Sequence, residues 1–542
     1  MDGSFKGQGT AVTQAHGAHA ARDWPAAVEA FDGVPGDELS ANDLVAYFEA
    51  VWWVGRSDDA LRIGSSAYEA LLDESRPVEA VKTALWLGVW HLSRGDEPGA
   101  SGWWGRARRL AEEIPEHPVH GYLILFTEVQ ANMARGSLVE AMDAARRAAD
   151  MGRRFDDPDL LAAGLNSEGR ALLKSGRVVD GLALIDEAMI TIQEGETSAL
   201  WTGNIYCLTI EACHEVSEIR RLARWTEMTE KWLEALSSAV ILSAMCRVHR
   251  AQLQLLRGDW DGAEVVAAQV ADQLGGDRVD YIAEAWYLVG EVRRLRGDPT
   301  AGDAYKEAHL RGRDPQPGRA LLRLQEGDGA GAMASIRSAL TAAGTDPLRR
   351  APLCAAAVEI ALAEGRLEEA KESESELLAT AATYATSGLE AMAATARGTV
   401  LLAEGQAEAT LPVLLEAYRS WIDLGADYTA AGISQSLAEA YRMLGDEASA
   451  TAEEVRATAT YERMGVVRQP DRALPAGLTE REWQVLAKVT EGKSNRDIGG
   501  ELFISDRTVA RHLTNIFHKI GVANRTEAAR YALDHRIGDA SR

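Results

Sequence analysis

The chain has 542 residues, 46% hydrophobic and 26% charged, with Ala, Leu, Glu and Arg prominent, a balance that favours helices over strands. That length exceeds a single compact core, so several units or an elongated array are expected. The formal net charge of −25 would repel phosphate along most of the chain; only residues 478–538, with 10 Lys/Arg against 8 Asp/Glu, could approach a duplex.

Residues 1–14 are expected to form a tail. Met1 to Thr10 contains no apolar segment of the kind a secretory signal needs. No run of about 18 apolar residues occurs, so no membrane contact is expected. The four cysteines, Cys207, Cys213, Cys246 and Cys354, are too few and too irregular for a disulfide framework. These features together imply a cytoplasmic location.

From residue 15 to 465 a short signature recurs. A helix-like run ends on Gly with a polar neighbour, and a second amphipathic run follows with Ala near its start. Examples are Val54-Gly55-Arg56-Ser57-Asp58-Asp59-Ala60, Arg135-Gly136-Ser137-Leu138-Val139-Glu140-Ala141 and Glu364-Gly365-Arg366-Leu367-Glu368-Glu369-Ala370. The marker glycines are Gly55, Gly95, Gly136, Gly176, Gly258, Gly297, Gly327, Gly365, Gly405 and Gly445. They stand about 40 residues apart, with one interval of about 30 before Gly327. A divergent copy starts near Asp23-Trp24-Pro25, and the spacing calls for a marker near Ser217 that is absent. Glycine accepts the left-handed conformation that ends a helix, and the polar residues after it start the next. Each unit is then a helical hairpin that must stack to bury its apolar stripe.

Such units resemble tetratricopeptide-like repeats, lengthened from the usual 34 residues; another type of α-solenoid fits the pattern too. The resemblance implies an all-α superhelix of helical hairpins whose concave surface takes a small effector or a partner protein. Two local features bear on this. Trp52, Trp53, Trp86, Trp90, Trp103 and Trp104 cluster early, either as an aromatic binding surface or as inter-repeat packing. Cys207, Cys213 and His214 fit no common zinc spacing, so buried thiols are expected and no metal or cofactor is assigned.

The pattern breaks over residues 466–477, where Gln469-Pro470-Asp471 and Leu474-Pro475-Ala476-Gly477 indicate a linker. Residues 478–542 then show four helices. Thr479 and Glu482 form a capping box for the first, which carries Val485, Leu486 and Val489 and closes at Gly492. Ser494 with Asp497 caps a short second helix, Ser505 caps a third that ends at Gly521, and a fourth starts at Asn524 or Thr526. In the third helix Val509, Leu513, Ile516, Phe517 and Ile520 share one apolar face. The opposite stripe is Arg507, Ala510, Arg511, Thr514, Asn515 and His518. Those donors suit a major groove, since Arg can fork to guanine and Asn to adenine.

A short helix, a turn and such a third helix make a helix-turn-helix. Leu478-Thr479-x-Arg481-Glu482, Glu491-Gly492-x-Ser494-Asn495-x-x-Ile498 and Ile504-Ser505-x-x-Thr508-Val509-x-x-His512-Leu513-x-Asn515-Ile516-x-x-Lys519-x-Gly521-Val522 resemble the C-terminal domain of the LuxR/NarL/GerE class of bacterial regulators. The resemblance implies backbone-phosphate contacts at Asn495, Thr508 and Lys519, with Lys493 and Ser494 beside them at the start of the second helix. It implies base-facing positions at Ala510, Arg511 and Thr514, and pairing of two copies through Ala528, Tyr531 and Ala532. Two departures matter: Ala510 stands where Lys is frequent, and Gly499-Gly500 interrupts the second helix at about 1 kcal/mol per Gly relative to Ala. With that Lys missing and an acidic N-terminal part attached, weak intrinsic DNA affinity is expected. His512 and His518 serve packing or helix-end roles. Ala487 with Gly492-Lys493-Ser494 mimics the end of a phosphate-binding loop, but the first Gly and the preceding strand are missing.

No nucleophile–base arrangement stands out, so the chain reads as a non-enzymatic transcription regulator. Its expected partners are double-stranded DNA, a second copy on that DNA, an effector on the repeats and the transcription machinery. The family picture is the maltose-regulator type without its nucleotide-hydrolysing domain, because repeats begin near the N-terminus. The competing reading is an interaction scaffold whose C-terminal module serves dimerisation.

Overall fold

A computed structural model describes residues 4–234, 236, 240–273, 279–466, 478, 480–501 and 506–535, and every regular element among them is helical. The chain divides into two compact units, 1–466 and 467–542. The segment 467–477, which holds most of the expected linker, lies outside the described residues.

The N-terminal unit is a stack of helical hairpins, an α-solenoid. Its regular helices are 17 residues long, as in Ser57–Asp73, Pro77–Ser93, Ser387–Ala403 and Ala407–Asp423. Two such helices and two three-residue turns account for the 40-residue spacing of the markers. Every marker glycine has a left-handed backbone, with φ of +79° at Gly55 and +80° at Gly258. At Gly55 the turn closes by Gly55 N–H to Trp52 O at 2.9 Å and Arg56 N–H to Val51 O at 3.1 Å, which satisfies carbonyls the helix end would leave open. Asp96, Asp259 and Asp328 then cap the next helix by accepting the N–H of Gly99, Gly262 and Gly331. The short interval before Gly327 comes from two short helices, Ala301–Leu310 and Gly318–Gln325.

The absent marker is explained by Ser217. It takes φ +54° and makes the same turn, with Ser217 N–H to His214 O at 3.0 Å and Glu218 N–H to Cys213 O at 2.8 Å. A left-handed non-glycine residue costs about 1–2 kcal/mol, and this turn is held from outside. Thr386 Oγ1 donates to Val216 O at 2.6 Å, and Gly388 N–H donates to Ser217 O at 3.2 Å. Nearby, Tyr384 OH donates to Lys174 O at 3.0 Å. Later hairpins thus rest on the turns of earlier ones.

Small residues let neighbouring helices approach closely. Ala144, Ala145, Ala148 and Ala149 are buried on helix Leu138–Phe155, and a Cβ at Gly164 would lie 2.6 Å from Ala149 N. All four cysteines are buried free thiols; Cys207 and Cys246 sulfurs lie 3.9 Å apart, and burial pushes the Cys213 thiol up to about 12. Among the described residues no group of His, Cys, Asp and Glu is arranged to hold a metal ion, and no helix is long and apolar enough to cross a membrane.

Two substitutions at the Ser217 turn should act in opposite directions. Ser217→Gly relieves the left-handed strain and should raise unfolding free energy by about 1 kcal/mol. Gly388→Ala would place a Cβ 2.5 Å from Ser217 O and should lower it by about 1–3 kcal/mol. Urea unfolding of the full chain checks both, and equal midpoints for all three proteins would show that the clasp carries no stability.

Candidate nucleic-acid interface

The C-terminal unit contains helices Glu480–Thr490, Asn495–Glu501, Asp506–Ile520 and Arg525–Asp534. Their shared core is Leu478, Val485, Leu486, Val489, Ile498, Val509, Leu513, Ile516, Ala528 and Ala532. In the third helix Val509 and Ile516 are fully buried and Leu513 nearly so, with Phe517 and Ile520 packed at the edge. Ala510, Thr514, Asn515 and His518 are exposed on the other side. Helical spacing puts position 511 on that same face. The side chains of Arg507, Thr508 and Arg511 lie outside those described, as do Thr479, Ser505 and the whole tight turn 502–505.

The helix ends follow local chemistry. Gly492 and Gly521 have φ of +73° and +69°. Ser494 and Asp497 form a reciprocal cap: Ser494 Oγ donates to Asp497 Oδ2 at 2.6 Å, and Asp497 N–H donates to Ser494 Oγ at 3.3 Å. Donation from the Ser494 hydroxyl and from Ser494 N–H holds the Asp497 carboxyl below its ordinary range. The fourth helix starts at Asn524, whose side chain accepts Glu527 N–H at 3.0 Å.

Several basic and polar residues are tied within the unit. Lys519 Nζ pairs with Glu482 Oε2 at 2.7 Å, and Glu482 is buried. Lys493 Nζ pairs with Glu491 at 2.6 Å. Asn495 Oδ1 accepts from Arg525 Nη1 at 2.9 Å, and Arg525 also donates to Lys493 O. Arg525 therefore fastens the fourth helix to the start of the second, a role that sequence reasoning missed because the partners are 30 residues apart. Thr514 Oγ1 donates back to Ala510 O at 3.1 Å while remaining on the exposed face.

The pairing face needs a correction. Ala528 and Ala532 are fully buried in the unit's own core, so they have no surface to offer a second copy. Of the three expected residues only Tyr531 is partly exposed, and it stacks on His535 at 4.0 Å. Leu533, 66% exposed, is the apolar residue that the fourth helix presents outward.

Residues 476–532 match the family described as GerE, "Bacterial regulatory proteins, luxR family". The C-terminal unit is a luxR-type helix-turn-helix domain. Over 63 residues the chain is 51% identical to the transcriptional regulatory protein LiaR of Bacillus subtilis (strain 168), which is 11% of this chain and 30% of that protein. Over 68 residues it is 41% identical to the uncharacterized transcriptional regulatory protein YhcZ of the same strain, 12% of this chain and 32% of that one. The chain thus spans about a third of the length of these curated relatives. The crystal structure of the APC/C hetero-tetramer Cut9-Hcn1 aligns with 83% of this chain and 95% of its own, at 12% identity and a TM-score of 0.36.

The early tryptophans differ in their surroundings. Trp53 is fully buried and stacks on Trp24 at 5.2 Å, and Trp104 Nε1 donates to Leu85 O at 3.1 Å, so both are packing residues. Trp103 packs edge-on against Tyr68. Trp52 and Trp90 are buried and pack edge-on against each other, and with Trp86 they also line a cavity.

Lys519→Ala in the luxR-type domain would remove the ammonium that pairs with the buried Glu482 carboxylate at 2.7 Å. It should destabilise the domain by about 1–3 kcal/mol, with part restored by adding Glu482→Gln. Hydrogen exchange of amides 480–534 in the full chain reads both, and unchanged protection in Lys519→Ala would dismiss the pair as a stabilising contact.

Proposed function

We propose that this chain is a transcription regulator whose C-terminal domain reads the major groove of double-stranded DNA, and whose repeats bind an effector that sets its activity. The observation that carries the reading is the third helix, Asp506–Ile520, with one side sealed in the core and Thr514, Asn515 and His518 exposed on the other. Position 511 shares that exposed face, so Arg511 with Thr514 and Asn515 supplies base contacts, beside Ala510 and His518. Lys493, Ser494, Asn495, Arg507, Thr508 and Lys519 flank it as backbone contacts. An ammonium has three donors, so Lys519 can hold Glu482 and still meet a phosphate.

Two copies would occupy two half-sites. With Ala528 and Ala532 buried, the pairing surface is reassigned to Tyr531 and Leu533. The relatives matched in this segment are transcriptional regulatory proteins by name, which supports the regulatory reading. The internal pairing of Lys493 and Lys519, with Ala510 in place of a cation, supports modest intrinsic DNA affinity.

Selection of bound fragments from genomic DNA with the full chain should yield a paired-site sequence, and mobility shifts on it test the residues. Arg511→Ala and Asn515→Ala should each cost about 1–3 kcal/mol and relax preference at one base position. Lys493→Ala should weaken all sequences alike and reduce the salt slope by about 1. Leu533→Asp should weaken binding to two half-sites while sparing a single one. No shift on any duplex at low salt would overturn the DNA-binding reading in favour of an interaction scaffold.

A further inference from the structure

The cavity touched by the early tryptophans has a volume of about 350 Å3, within the range of small-molecule sites. Alternate helices build it. Trp52 comes from Ala41–Trp53, Trp86 and Trp90 from Pro77–Ser93, Phe126 from the helical segment after Val119, and Trp201 from Ala199–Glu215. Trp86 lies 5.6 Å from Phe126 and 5.5 Å from Trp201, ring to ring. At Phe126 the helix widens into a π turn over Ile124–Val129, a distortion that often marks a functional site.

The polar part of the wall is acidic. It carries the carboxylates of Glu49, Glu79 and Asp159 against the ammonium of Lys82. Glu49 meets His19 Nε2 at 3.2 Å, Glu79 meets Arg76 at 3.1 Å, and Lys82 Nζ sits 5.5 Å above the Tyr122 ring. Asp159 is different. Its Oδ1 accepts Ser198 N–H at 2.8 Å, and among the described residues no Lys, Arg or His forms an ion pair with it. Burial pushes its carboxyl above the usual range, against the opposing pull of Ser198 and of the more distant Lys82 ammonium. Lys82 acts on this half-buried carboxylate only from a distance, so Asp159 keeps no contact ion pair beside the aromatic wall, and a bound cation would supply one.

We propose that this cavity takes a small organic cation, an ammonium or guanidinium on a planar apolar body. The body packs among Trp86, Phe126 and Trp201, and the charge meets Asp159. Ring faces attract cations and Asp159 completes the pairing. A neutral ligand would leave Asp159 without a contact ion pair, and an anion would face three carboxylates against the one ammonium of Lys82. The assignment deepens the effector reading above and rests on it for its regulatory consequence.

Phenethylamine, 2-phenylethanol and 3-phenylpropionate carry one ring on a cationic, a neutral and an anionic end. Each is titrated into the full chain without DNA, followed by tryptophan fluorescence and calorimetry. Phenethylamine should saturate and bind at least about tenfold more tightly than the alcohol, with the acid weakest. Asp159→Asn should abolish that preference while leaving the affinity for the alcohol unchanged, in a protein whose circular dichroism matches the unsubstituted chain. The ranking on the unsubstituted chain stands however the variant folds. Equal binding of all three, preference for the acid, or no binding below about 10 mM would overturn the assignment. So would a cation preference that survives Asp159→Asn. Binding as expected with DNA retention unchanged would instead remove the effector reading and leave the cation site standing.

Discussion

Each hairpin of the N-terminal unit has an apolar stripe that it cannot cover alone, and the structure is organised around the covering of that stripe by the next hairpin. Stacking at close range requires that every helix stop abruptly and reverse. The left-handed turn does this in three residues, which is why glycine marks the repeat. Alanine and glycine at helix contacts then bring the axes together, as between Gly164 and Ala149. Because alternate helices share a wall, residues far apart in sequence, such as Trp86 and Trp201, come to line one cavity.

Much of this was legible in the residues. The marker glycines name turns because their conformational requirement is local, and the apolar face of Asp506–Ile520 is legible because helical spacing is local. What escaped was non-local. The turn at Ser217 lacks glycine, and its conformation is held by Thr386 and Gly388, about 170 residues away. The six early tryptophans look alike in sequence, yet Trp53 is packing and Trp86 lines a cavity, a difference set by which neighbours arrive.

The luxR-type domain shows the same division. Its caps and core were readable, but Arg525 bridging to Asn495, and Lys519 joined to buried Glu482, depend on how the helices cross. Ala528 and Ala532 illustrate the opposite error. Small apolar residues on a terminal helix suit a contact with a second copy and a contact with the helix next door equally well, and here the neighbour within the domain takes them. Several of the domain's cations thus brace the fold, which tempers the attraction that a duplex would feel.

The clasp between Thr386 and the turn at Ser217, with Tyr384 reaching the carbonyl of Lys174, has a kinetic meaning. A purely nearest-neighbour array can nucleate anywhere and zip outward. Here a contact joins segments about 170 residues apart, so forming it carries a loop-closure cost that grows with the intervening chain. The stack behaves less like a row of independent beads than like a chain whose distant links are hooked together.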